Sequence, residues 1–224
     1  MSKYRVKFTK EGAAVYISHL DLMRTMHRAF IRAGLRVKHS EGYNPHPKMV
    51  FAMPLSVGTE SQCELLDFEL DSDVFTVKIP DMLNAFLPDG IVMTDCWMAE
   101  TKFSEIAWLN VRGRFEYDDR SACEKASLLS EFFSAPEIVI RKRTKRGETS
   151  FDMRPYLRDI DFSAPDRHTI DVSAIVAAGD KVLNPDLIVS ALEQLAPELS
   201  PDFARFRRIV MYKVGDKNEI VEFR

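Results

Sequence analysis

Four of the five histidines lie between Ile17 and Leu55, together with three evenly spaced arginines. Imidazoles can ligate a metal or move a proton; guanidiniums can hold a phosphate or a carboxylate. His19 and His27 are eight residues apart, two turns of a helix, so they cannot share a metal as an i, i+4 pair does. His39 and His46 flank a turn and could approach each other. Two imidazoles without a third ligand do not make a metal site, so neither a metal nor another cofactor is expected. General-base catalysis on RNA by His46 or His19 is the one catalytic reading left open, and no catalytic residue is assigned.

The arginines are more informative. Arg24, Arg28 and Arg32 stand at i, i+4 and i+8, which puts three guanidiniums on one side of a helix. Like charges at that spacing cost a few tenths of a kcal/mol per pair (~0.2–0.5), and only Asp21 lies near enough on the helix to offset them. Two readings stand: a solvated face paired to an acidic strand at Glu64, Asp67 and Glu69, or a row that holds an anion. Next comes Tyr43-Asn44-Pro45-His46-Pro47-Lys48. Its two prolines fix φ and hold Asn44 and His46 extended. A stiff loop loses little entropy on binding, so Tyr43, Asn44, His46 and Lys48 join the row as candidates for recognition; a plain turn is the alternative.

The second half adds a basic hairpin tip, Arg141-Lys142-Arg143-Thr144-Lys145-Arg146, with five Lys/Arg in six residues. An extended segment follows, in which Asp152, Arg154, Pro155 and Tyr156 bring a carboxylate, a guanidinium and a phenol close together. Arg141, Arg143, Lys145, Arg146 and Arg154 are therefore further anion-binding candidates. The chain has no G-x-G-x-x-G, Walker loop, HExxH, G-x-S-x-G or CxxC.

Positioning these residues requires the following elements. Tyr4, Val6 and Phe8 alternate with Arg5 and Lys7 in a strand over residues 3–9. Ser18 with Asp21 forms a capping-box-like start to a helix over 18–33, with Ile17 and Leu22 as a staple. Leu22, Met23, Met26, Phe30 and Ala33 make its core stripe, and Gly34 ends it. Short strands are expected over 36–39 and 49–55. In 64–70, Leu66, Phe68 and Leu70 point inward, with Asp67 and Glu69 outward. A helix within 73–87 uses Ile79, Met82, Leu83, Phe86 and Leu87, and a strand covers 91–98. The second half repeats the order: strand 108–117, helix 121–133, strand 137–143, strand 168–174, a helix from Asn184 to about Ala196, and strand 205–214. The order predicts an α+β fold of two tandem ferredoxin-like (βαββαβ) layers, with domains at 1–103 and 104–224.

The 224 residues are 46% hydrophobic and 29% charged, an ordinary globular balance. Net charge is −3, yet residues 1–50 hold ten Lys/Arg against three acids, so the first fifty carry +7 and the rest −10. Such segregation points to one anion-facing side. Cys63, Cys96 and Cys123 are scattered and odd in number, and are read as buried thiols rather than a disulfide or metal set. No apolar run reaches the ~18 residues of a membrane span. The N-terminus alternates like a strand and lacks a signal-peptide core. Cytoplasmic location without membrane association is expected.

At S-H-L-D-L-M-R, E-G-Y-N-P-H-P-K, M-P-L-S-V-G and K-R-G-E-T-S-F-D-M-R-P-Y-L the chain resembles the radical SAM-linked proteins, a bacterial domain family of unknown function. The matching positions are Ser18, His19, Asp21, Arg24, Gly42, Tyr43, Asn44, Pro45, Pro47 and Lys48, then Asp152, Arg154, Pro155 and Tyr156. His46 stands where a basic residue is common. In that family the domain stands alone or follows a radical SAM protein with a cobalamin-binding-type region. The resemblance implies a partner enzyme that carries the cluster, with this chain recognising substrate or docking. With the basic surfaces, it suggests a non-catalytic accessory protein that binds tRNA or rRNA. Arg24, Arg28 and Arg32 would act beside the Tyr43–Lys48 loop. The alternatives are a protein-interaction module without RNA, and the RNA-processing enzyme above.

Overall fold

Alternation of Tyr4, Val6 and Phe8 along β1 (Lys3–Lys10) puts three large side chains on one face of the strand, all buried. In this computed structural model, which describes residues 3–144, 147–179 and 182–224, β1 opens the first of two units. That unit spans Met1–Phe103 and includes Arg224; the second spans Ser104–Phe223. The fold is mixed α+β, and its strands are antiparallel.

In the first unit β1 is followed by α1 (His19–Arg32), β2 (Met49–Phe51), β3 (Glu60–Glu69), α2 (Ile79–Asn84) and β4 (Ile91–Met98). β1 pairs with β3 and β4, and β2 pairs with β3, giving the order β4-β1-β3-β2. This connectivity is compatible with the expected ferredoxin-like layer. One core joins Tyr4, Val6, Phe8, Leu66 and Phe68 of the sheet to Met26 and Phe30 of α1 and to Ile79 and Leu83 of α2. Phe30 meets Phe68 edge-on at 4.7 Å between ring centroids.

The opposite face of β1 is buried at Arg5 and open only at its Lys3 end. Arg5 is fully buried; its Nε and Nη2 donate to the two carboxylate oxygens of Asp67 at 2.6 and 3.0 Å. Its remaining donors reach Thr101 Oγ1 and the Thr101 carbonyl at 2.7 and 2.9 Å, and the Phe103 ring lies 4.4 Å from the guanidinium carbon. Asp67 is 1% exposed and also takes Lys3 at 2.8 Å. The sequence expectation that Asp67 points outward is therefore corrected. Strand alternation separates two faces but does not say which of them is wet.

The second unit runs β5 (Ile106–Glu116), α3 (Ala122–Phe133), β6 (Val139–Thr144), β7 (Gly147–Asp152), β8 (Leu157–Ser163), β9 (Thr169–Ala177), α4 (Asp186–Leu195), β10 (Phe203–Val214) and β11 (Ile220–Glu222). Its sheet has the order β10-β5-β9-β8, with β11 on β10, while β6 and β7 form a separate hairpin. Strand β8 was not expected, and the strand foreseen at 137–143 belongs to the hairpin. Gly113 is required by packing: a Cβ there would meet the Phe206 ring at 2.6 Å.

Several smaller expectations also change. The strand foreseen at 36–39 is two isolated bridges, Val37 to Leu70 and His39 to Pro47. Met23 and Phe86 are exposed rather than core. Cys63 and Cys96 are buried, and burial pushes the Cys96 thiol up to about 12. Cys123 is exposed, because it follows the core residue Ala122 onto the outer side of α3.

Candidate anion-binding surface

Helix α1 is fixed at both ends by its own sequence. Ser18 is the N-cap: its hydroxyl accepts from the Asp21 N–H at 3.2 Å and donates to the Asp21 carboxylate at 2.8 Å. At the other end Gly34 adopts φ 72°, a left-handed conformation that glycine enters without strain. Gly34 N donates to Ile31 O at 3.1 Å and Leu35 N to Phe30 O at 2.9 Å, a Schellman closure. Leu22, Met26, Ala29 and Phe30 face the core.

Arg24, Arg28 and Arg32 are all exposed. Arg24 reaches Asp21 at 3.1 Å. The Ser18 hydroxyl, and after it the Arg24 guanidinium, hold the Asp21 carboxyl below its ordinary value. No ion pair of Arg28 or Arg32 occurs among the described residues. The acidic strand does not neutralise the row: Asp67 takes Arg5 and Lys3, Glu69 takes Lys48 at 3.1 Å, and Glu64 is buried.

The histidines occupy a different flank of α1. The His19 ring lies 5.3 Å from Phe51, and His27 lies 6.2 Å from His39. Both stems of the Pro/His loop therefore run along that flank. At 3.6 residues per turn, His19 and His27 average roughly 140° around the helix from the arginine row. His27 itself lies roughly 60° from Arg24 and roughly 140° from Arg32, so the stems lie on the flank nearer the Arg24 end of the row.

The loop has a closed neck. Ser40 N donates to His46 O at 2.8 Å, and His46 N donates to Ser40 Oγ at 3.1 Å. His46 Nδ1 lies 2.9 Å from the same hydroxyl. Gly42, at φ 128°, makes the turn, and Tyr43, Asn44, Pro45 and His46 are exposed at the tip. Pro47 is half-buried, and Lys48 is already paired with Glu69.

In the second unit the motif residues serve the backbone. Asp152 Oδ1 accepts from both Ile138 N and Arg154 N at 3.0 Å. Arg154 donates to the Leu157 carbonyl at 2.7 Å, and Tyr156 stacks on Phe151 at 5.2 Å. Pro155 is exposed within the turn Arg154–Tyr156 that joins the hairpin to β8. Arg141 is exposed, and its backbone exchanges hydrogen bonds with the Gln194 amide. Lys145, Arg146 and the side chain of Arg143 lie outside the described residues.

The family model described as "Uncharacterized protein conserved in bacteria (DUF2344)" matches residues 3–185. The chain belongs to that family. The part of this DUF2344 chain that matches holds α1, the Pro/His loop and the Asp152–Tyr156 turn. No curated protein matches the chain. Similar solved structures include an unknown protein from Galdieria sulphuraria, 10% identical over 100% of this chain and 99% of that one, with a TM-score of 0.27. Another is a putative glycine cleavage system transcriptional repressor, 10% identical over 92% and 98%, with a TM-score of 0.25. These likenesses carry no argument about what the DUF2344 chain does.

The sequence reading passed over Arg112, Arg114, Arg205 and Arg207 of the second unit. Their signal was R-G-R and R-F-R, arginines two apart within strands and hence on one face. No helix among the described residues is long and apolar enough to cross a membrane.

Proposed function

We propose that this DUF2344 protein is a non-catalytic accessory module that binds RNA through the arginine row of α1. The observation that carries the proposal is the exposure of Arg28 and Arg32 with no carboxylate partner among the described residues, on a helix capped at both ends. Bound phosphate would offset the mutual repulsion of the row and draw affinity from released counterions. The exposed Tyr43 and His46 could stack on unpaired bases on the other flank. The motif resemblance supports a radical SAM enzyme as the partner whose RNA substrate is presented. Filter binding of tRNA and rRNA fragments at two salt concentrations tests the proposal. Salt-sensitive binding that Arg28→Glu with Arg32→Glu weakens at least about tenfold supports it. Salt-insensitive binding, or binding indifferent to those changes, contradicts it.

One observation favours a second reading. Leu20 (54% exposed) and Ile31 (63%) lie beside the arginines on the outer face of α1. A mixed apolar and basic face also suits an acidic protein surface, such as that of the partner enzyme. Nuclease-resistant co-purification that is lost with Leu20→Ser and Ile31→Ser would decide for this reading.

A further inference from the structure

The open face of the second unit's sheet carries an arginine grid. Residues directly opposite each other on paired strands share a face. Arg207 of β10 lies opposite Arg112 of β5, and Arg205 opposite Arg114. The four guanidiniums thus form two adjacent like-charge pairs, on strands about 4.8 Å apart. Arg112, Arg205 and Arg207 are exposed and have no ion pair among the described residues. Arg114 alone is neutralised, by Asp171 at 2.9 Å. Like charges directly opposite each other destabilise a sheet, so Arg112 and Arg207 work against the fold they sit on.

The register also places carboxylates on this face: Asp171 and Asp161 on the β9 and β8 side, Glu116 opposite Phe203, and Glu222 of β11 opposite Tyr212. Arg158 of β8 shares the face and lies over the Trp108 ring at 4.6 Å, so the paired arginines without an ion pair among the described residues are those of β5 and β10. Aromatic rings border them. Phe203 (55% exposed) lies at one end, and Tyr212 at the other, opposite Trp108, whose ring carries the Arg158 guanidinium. Guanidiniums bind phosphate in a two-donor fork, and rings at the borders of a charged strip give bases a stacking surface. An acidic peptide would use the charge but not the ordered sequence of ring, arginine pairs and ring.

We infer that this sheet face is a binding surface for single-stranded nucleic acid, with Arg112, Arg205 and Arg207 on the phosphates and Phe203 beneath a base. The surface is independent of the α1 row.

The test uses the full chain and a fluorescein-labelled oligouridylate of about a dozen nucleotides, titrated by anisotropy near 50 and 200 mM salt. Arg112→Gln with Arg207→Gln should weaken binding about tenfold or more and reduce the salt slope by about 1.4, the share of two single-strand phosphate contacts. The same pair should leave the melting temperature unchanged or raised, since it removes a repulsion. Arg112→Lys with Arg207→Lys should retain most of the salt slope. Phe203→Ala should weaken binding at both salt concentrations without changing the slope. Unchanged affinity and slope in the glutamine pair would overturn the inference. So would equal affinity for polyglutamate, which would make the face a protein-docking surface, or equal affinity for a duplex. Loss of oligouridylate binding with Arg28→Glu and Arg32→Glu, but not with the glutamine pair, would overturn the sheet face and leave the α1 reading standing. The reverse pattern would do the opposite.

Discussion

The α1 region of the first unit and the Asp152–Tyr156 turn of the second are built from similar residue types, and their side chains have different fates. Each couples a carboxylate, at least one arginine and an aromatic within a short motif. In the turn, Asp152 is occupied by two backbone N–H groups and Arg154 by the Leu157 carbonyl. On α1, Asp21 serves the cap and Arg24, whereas Arg28 and Arg32 have no ion pair among the described residues. A motif's composition therefore does not mark a binding site. What marks one is donor capacity left over after the backbone and the ion pairs are satisfied.

That contrast can be broken or sharpened by substitution. Asp67→Ala should have the largest effect, because it strands the Arg5 guanidinium in a buried site; about 3–5 kcal/mol of stability should be lost in urea unfolding. Asp152→Ala comes next. It leaves two backbone donors without their acceptor and should cost about 1–3 kcal/mol, with RNA affinity unchanged in the folded fraction. A direct loss of RNA affinity in that variant, with stability intact, would make the turn a site after all. Ser18→Ala should cost about 1 kcal/mol by removing the α1 cap. Arg28→Ala should behave oppositely, gaining a few tenths of a kcal/mol (~0.2–0.5) while weakening RNA binding.

The smallest expected effect is one of pH. Asp21 titrates below its ordinary 3.8 in the folded chain, so the unfolded chain binds more protons just below that value. Its contribution to stability is present above pH 3.8 and is lost as pH falls through the lowered folded value. Urea midpoints across that window should fall less in Asp21→Asn than in the parent chain.

The parts of the fold that were legible in the sequence were those set by neighbouring residues. Ser18, Asp21 and Gly34 delimit α1 because caps act within one turn. β8 was missed because its alternation is broken: Asp159 sits at φ 44° and the register slips between Arg158 and Asp161. The Arg5–Asp67 pair joins residues 62 apart in sequence, so alternation alone could not tell a buried ion pair from a wet face. The arginine row was readable from i, i+4 spacing, but its freedom was not. That depended on where Glu69 and Asp67 found their cations. The flank of α1 that meets the loop stems followed from His19 meeting Phe51 and His27 meeting His39, contacts between residues distant in sequence.

The central claim is that Arg28 and Arg32 of α1, which have no ion pair among the described residues, hold phosphate. Its most direct measurement is the salt dependence of tRNA affinity for the parent chain and for Arg28→Gln with Arg32→Gln. The account predicts a slope shallower by about 1.4–1.8 in the variant, the loss of two phosphate contacts, with unfolding stability unchanged or slightly raised. Parallel slopes of equal affinity would contradict it.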